Sequence, residues 1–275
     1  MSEGYIETSH GRLAYRQTDG TGPTVLFIHG NSACKEVFNR QTGSDLLAGY
    51  RLITLDLPGH GASSDAPDPQ RTYSIHGFAD AVMEALEGLG VSRAVIVGWS
   101  LGGHAALEMA ARWPGTRALW VTGTPPVGND PDDMGAAFLP SPHMELTFKE
   151  RFTQEDARLY AQATIGGSAA LEPWMMAACY RADGRFRPLM LQSAMAGGDV
   201  DGRKVAETSP LSLAVVSGER EPFISNEFLK GLTYRNLWDG QVHVLPGLGH
   251  MPFWEAPELI NPMLKRFLDE VTAEG

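Results

Sequence analysis

The chain is poor in cysteine, with only Cys34 and Cys179 among 275 residues. So few excludes a scaffold stapled by disulfides. Two free thiols in a reducing compartment are expected, with the cytoplasm as the default location. No apolar run approaches the roughly 18 residues of a membrane helix, so no membrane association is expected. The opening MSEGYIETSHGRLAYRQ lacks the basic and apolar regions of a secretory signal. Basic residues are outnumbered, 22 Lys and Arg against 33 Asp and Glu, for a formal charge of -11. An acidic surface repels phosphate backbones, so nucleic acid is not an expected partner. Neither an H-x-H-x-D-H cluster nor an H-E-x-x-H pair occurs, and no G-x-G-x-x-G opens a helix after the first strands. No metal and no cofactor are therefore expected.

What is present has the balance of a folded protein, 43% hydrophobic and 20% charged, at a length that suits one compact domain with an insertion. Arg12 to Gln17 alternates like one strand of a hairpin, with Tyr5 to Thr8 as its partner. TVLFIHG (Thr24 to Gly30), RLITLDLPG (Arg51 to Gly59), RAVIVG (Arg93 to Gly98) and ALWVTG (Ala118 to Gly123) are continuous apolar runs ending at glycine. Strands apolar on both faces belong in a buried parallel sheet. Helical spacing fills the gaps, over Tyr73 to Leu89 and Ser100 to Trp113. This alternation predicts an α/β fold with a mostly parallel sheet and helices on both faces. The rhythm stops at Pro125 and resumes near Leu211 with LSLAVVSG, then QVHVLPG and a final helix from Pro257 to Val271. Residues 125–207, with helical pieces at Thr153 to Ala163 and Glu172 to Tyr180, read as a helical cap. Residues 1–124 and 208–275 read as the core, with the cap over the carboxyl edge of its sheet, where ligands bind in open α/β folds.

Gly98-Trp99-Ser100-Leu101-Gly102 fits G-x-S-x-G between a predicted strand and a predicted helix, the context in which this motif presents a nucleophilic serine. A serine hydroxyl needs a base, and the base an orienting acid. Of eight histidines, His250 alone sits in a loop just past the last predicted strand, within Gly247-Leu248-Gly249-His250. The acid should follow an intervening strand. Glu221 in Val216-Ser217-Gly218-Glu219-Arg220-Glu221 is the preferred choice, three residues past the strand-ending glycine, with Glu219 its competitor. An oxyanion hole would take the backbone N–H of Leu101 and a second donor from Asn31 or Ser32, after the His29-Gly30 strand. Trp99 and Phe223, flanking these positions, are candidate substrate contacts.

Beyond these motifs, the whole chain resembles the AidH-type N-acyl-homoserine lactonases of the α/β-hydrolase fold superfamily, through SHGRLAYR, FIHGNS, DLPGHGASSDAPDP, GWSLGGH, TGTPPV, NLWDG and GHMPFWEAP. That resemblance implies a Ser–His–Glu triad at Ser100, His250 and Glu221, with oxyanion and lactone contacts at Asn31 and Leu101. It further implies a lactone-contacting tyrosine at Tyr160 and a quorum-quenching lactonase that acts on a small-molecule lactone or ester. The expected protein is a monomer without a cofactor. Soft side chains of the cap, Trp174, Met175 and Met190 among them, could line a tail pocket. Other serine hydrolases of the same fold (carboxylesterases, C–C bond hydrolases) and a ligand receptor of low turnover are the alternatives.

Overall fold

A computed structural model describes residues 1–166 and 169–273. Eight strands form one sheet: β1 (Ser2–Thr8), β2 (Gly11–Gln17), β3 (Thr24–Ile28), β4 (Arg51–Leu55), β5 (Ala94–Trp99), β6 (Thr116–Thr122), β7 (Leu213–Gly218) and β8 (His243–Leu245). Their order is β1-β2-β4-β3-β5-β6-β7-β8. β1 pairs antiparallel with β2, and β2 with β4. Every pairing from β4 onward across the sheet is parallel. This is the α/β fold with a mostly parallel sheet that the alternation predicted; β1 starts three residues ahead of its expected run and β4 stops four residues short of Gly59, while the other strands lie within two residues of theirs.

The helices, in chain order, are α1 (Asn39–Thr42), α2 (Pro69–Thr72), α3 (Ile75–Gly88), α4 (Leu101–Arg112), α5 (Pro131–Ala137), α6 (Pro142–Leu146) and α7 (Gln154–Thr164). They continue as α8 (Pro173–Arg181), α9 (Phe186–Met195), α10 (Gly202–Thr208), α11 (Asn226–Gly231), α12 (Pro252–Glu255) and α13 (Pro257–Thr272). The central strands are buried end to end, and β5 and β7 have no exposed residue. Val25, Leu26, Val95, Ile96, Ala118 and Val121 anchor a continuous core with Phe78, Val82 and Leu86 of α3 on one face and Leu264, Phe267 and Leu268 of α13 among its members. Burying each of the larger of these side chains contributes about 1.5–3 kcal/mol, so the sheet centre is a costly part of the fold to disturb.

Between β6 and β7 the described residues form six helices, α5 to α10, and no sheet strand. Three of them begin with a side-chain cap followed by proline or an acidic first turn. In α7, Thr153 and Asp156 form a reciprocal capping box. Among the described residues no helix is long and apolar enough to cross a membrane, and Cys34 and Cys179 are both buried free thiols.

Candidate active site

Ser100 stands where β5 turns directly into α4. Its backbone has φ 53° and ψ -120°, a left-handed conformation that costs a non-glycine residue free energy. Two glycines make that turn sterically feasible. A Cβ on Gly98 would lie 2.5 Å from the Gly102 carbonyl oxygen, and one on Gly102 would lie 2.1 Å from the Ile28 carbonyl oxygen. Gly30 approaches so closely that a Cβ there would meet the Ser100 Cβ at 3.0 Å. The Ser100 N–H donates to the Thr122 carbonyl at 2.9 Å, which ties the bend to the end of β6.

His250 lies over that same strand end. A Cβ on Gly123 would come within 2.6 Å of the imidazole Cε1, so the ring rests on the one residue type that leaves room for it. Its Nδ1 is 2.8 Å from each carboxylate oxygen of Glu221, and both side chains are buried. The two loops are joined by backbone, since Arg220 N–H donates to Leu248 C=O at 2.8 Å and Glu219 N–H to Leu245 C=O at 2.9 Å. Glu219, the competing carboxylate, is exposed and accepts from the Gly247 N–H instead. A carboxylate spread over Nδ1 keeps the proton there and leaves Nε2 free to accept one, the arrangement a general base requires.

The other expected positions gather around this pair. The Trp99 indole N–H donates to the His250 carbonyl at 2.9 Å, and its ring centroid is 5.5 Å from the imidazole. Phe223 packs 4.8 Å from the imidazole and 5.9 Å from Tyr160 of α7, joining the two as a buried ring bridge. Its own N–H donates to Glu221 Oε1 at 3.0 Å. Burial pushes the Tyr160 phenol up from its ordinary range. Leu101 is the buried first residue of α4. Asn31 is buried, accepts from the Ser32 hydroxyl at 2.6 Å, and donates its amide N–H to the Thr147 carbonyl at 3.1 Å. Asn31, Ser32, Trp99, Trp174, Met175 and Cys179 surround a small cavity of about 10 Å³, room for one water. A larger open groove of about 650 Å³ borders Trp113. It lies at the far end of α4 from Ser100, some twelve residues or about 18 Å along the helix axis.

Several competing nucleophiles and bases have other roles. Burial pushes the Cys179 thiol up to about 12, and Cys34 higher still, so neither is a thiolate at neutral pH. His29 uses both ring nitrogens on backbone, Nδ1 donating to Gly30 C=O and Nε2 accepting from Leu57 N–H. His243, in β8, sits 3.3 Å from Asp239. No group of three or more metal-ligating side chains occurs among the described residues. Sequence reasoning missed Arg187, which reaches Ser32 from α9. Nothing local in Phe186-Arg187-Pro188 distinguishes it from a surface charge.

A family model described as the alpha/beta hydrolase family matches residues 25–262. The chain belongs to that family. Structures of the N-acyl homoserine lactonase AidH are 40% identical to it. The complex with N-butanoyl homoserine superposes with a TM-score of 0.95, covering 99% of this chain and 98% of that one. A serine-to-glycine mutant of AidH complexed with N-hexanoyl homoserine lactone matches equally well. A glutamate-to-glycine mutant complexed with N-hexanoyl homoserine has a TM-score of 0.94. Among curated sequences, an uncharacterized protein of Mycobacterium tuberculosis is 36% identical over 110 residues, a match that spans only 31% of its length. A 2-hydroxy-6-oxononadienedioate/2-hydroxy-6-oxononatrienedioate hydrolase of Pseudomonas sp. is 25% identical over 98% of this chain and 94% of its own.

Proposed function

We propose that the protein opens the lactone ring of N-acyl homoserine lactones, with Ser100 as nucleophile, His250 as base and Glu221 as its orienting acid. The observation that carries this reading is the buried Glu221–His250 pair, 2.8 Å at Nδ1, lying over the strand end to which the strained Ser100 is hydrogen-bonded. The AidH structures support the substrate, since they hold the intact lactone or its ring-opened homoserine.

In this mechanism the Ser100 Oγ bonds to the lactone carbonyl carbon as its proton passes to His250 Nε2. The Leu101 N–H and donors of Asn31 hold the resulting oxyanion, a contribution of about a hundred- to a thousand-fold per donor. Collapse breaks the ring C–O bond, and His250 returns the proton to the departing oxygen, which stays tethered as a hydroxyl. Water then gives up a proton to His250 and attacks the acyl-enzyme, releasing N-acyl homoserine and restoring Ser100. Tyr160, Trp99 and Phe223 bound the substrate, and residues 125–207 act as a cap over the core of 1–124 and 208–275. Every residue invoked comes from one chain, so a monomer suffices.

Mass spectrometry after incubation with N-hexanoyl homoserine lactone tests the reading. The expected product is the hydrated, ring-opened species, reverting on acidification, and Ser100→Ala lowers its rate about a million-fold. Full-length similarity to the Pseudomonas hydrolase favours a second reading, hydrolysis of a linear 2-hydroxy-6-oxo-dioate of the kind for which that relative is named. Turnover of such substrates with the lactones untouched decides for it. A Ser100 that takes no fluorophosphonate label decides for a binding protein.

A further inference from the structure

Arg187 is the most deeply buried cation of the chain, 1% exposed, and no carboxylate lies within ion-pairing distance of it among the described residues. Burying a guanidinium without a counter-charge is costly, and such a group persists only where its hydrogen bonds are satisfied. Here each N–H has a neutral acceptor. Nε and Nη2 donate to the Ser32 hydroxyl at 3.0 and 2.7 Å. Nη1 donates to the Lys149 and Glu150 carbonyls, each at 3.1 Å, and Nη2 also reaches the Cys179 carbonyl at 3.4 Å. The guanidinium stacks on Phe152, 3.7 Å from the ring centre, and Phe152 in turn packs on Tyr160. Desolvation lowers its pKa to about 10, which still leaves it charged at neutral pH.

The consequence for Ser32 follows from its valences. A hydroxyl has two acceptor lone pairs and one proton. Arg187 occupies both lone pairs, so the remaining bond of Ser32, 2.6 Å to Asn31 Oδ1, must be the one in which it donates. That fixes which end of the Asn31 amide is oxygen. Nδ2 then faces away, with one N–H on the Thr147 carbonyl and one left over. Ser32 itself is held at φ 57°, a conformation unfavourable for serine, in the same loop.

We infer that Arg187 is a positioning residue: through Ser32 it sets the orientation of Asn31, so the oxyanion donor is aligned only when α9 is docked on the core. This rests on the reading of Asn31 as an oxyanion donor. The link joins two segments 155 residues apart, the loop after β3 and the second residue of α9. It thereby makes the helical insertion part of the catalytic alignment as well as a cover for the site. A donor misplaced by about 1 Å costs on the order of a hundred-fold in rate, so the effect belongs to kcat and leaves KM nearly unchanged.

The experiment is a set of variants, Asn31→Ala, Ser32→Ala, Arg187→Met and the double Asn31→Ala/Ser32→Ala. Each is assayed on N-hexanoyl homoserine lactone and on p-nitrophenyl acetate, with a urea melt of each. Ser32→Ala and Arg187→Met are expected to lower kcat about ten- to a hundred-fold at nearly constant KM. The double variant should be no slower than Asn31→Ala alone, because the two changes break one chain of bonds. If Arg187→Met does not fold, Ser32→Ala, which leaves the cation in place, decides. An unchanged rate for Asn31→Ala overturns the reading of Asn31, and the proposal with it. A slow Asn31→Ala beside a full-speed Ser32→Ala overturns the proposal alone. So does a double variant slower by the product of the single effects.

Discussion

The sheet and the helical insertion are built by opposite rules. In β3, β5 and β6 almost every side chain is buried, and the close approaches around Ser100 include backbone on backbone, such as Gly102 against Ile28. In α5 to α10 the buried residues are few, three in α8 and none in α6, and the ordering comes from caps, ion pairs and one buried arginine. The first region is fixed by local pattern and tolerates no added atom at its turns. The second is fixed by a few long-range contacts, so its sequence has room to vary. On the proposed reading, the first region would place the chemistry and the second would shape what enters.

The largest expected effect tests the placement of chemistry in the core. Glu221→Gln keeps the shape of the side chain but removes the charge that holds the His250 proton on Nδ1. The kcat should fall about ten-thousand-fold, with an unchanged urea midpoint. A loss of tenfold or less would move the acid elsewhere. Gly102→Ala comes next and probes intolerance directly. Its Cβ would sit 2.1 Å from the Ile28 carbonyl, so equilibrium unfolding should show a loss of about 3 kcal/mol or more. Stability close to that of the parent would show that the turn can give.

The boundary between the regions is expected to be acid-sensitive. His60 is fully buried, 4.5 Å from Phe186 of α9, and donates from Nδ1 to the Pro58 carbonyl while Nε2 has no partner. Desolvation holds its pKa well below 6.5, and His29 beside it is lowered too. A histidine of depressed folded-state pKa binds its proton more readily when unfolded. Stability is therefore retained above about pH 6.5 and declines as pH falls from there toward the folded-state value. Urea midpoints measured from pH 7.5 down to pH 5 should decline, and His60→Gln should flatten the slope. The smallest effect belongs to the insertion. Thr153→Ala removes the capping box of α7 and should cost about 1 kcal/mol. Hydrogen exchange should quicken in α7 and stay unchanged in β5 and β6, and an equal change in both would erase the contrast between the regions.

The same contrast governs how much was legible beforehand. Runs such as TVLFI and AVIVG declare themselves as buried strands, and Ser100 follows from the glycines that a strand-to-helix bend requires. His250 and Glu221 were expected from their places after strands, and their side chains lie together. Position made Glu221 the preferred choice but left Glu219, which stands closer to the end of β7, as its competitor. What separates them is burial, which two residues of loop sequence do not encode. Trp99 and Phe223 were expected to touch substrate. Trp99 does border the small cavity, while Phe223 is wedged between His250 and Tyr160. The short helices α9 and α10 were not foreseen, since Pro188 and the Gly197-Gly198 pair break the periodicity that marks longer helices. Arg187 was illegible for a deeper reason. Its acceptors come from Ser32, Lys149, Glu150 and Cys179, and no window of sequence contains them.

The gap beside Asn31, about 10 Å³, has room for one water. If the protein takes the acyl lactones proposed for it, α7 and α8 would have to part to admit a tail, and the observed affinity would be the intrinsic one scaled down by the population of the parted form. Preference among tails would then report the stiffness of two helices as much as the greasiness of the guest.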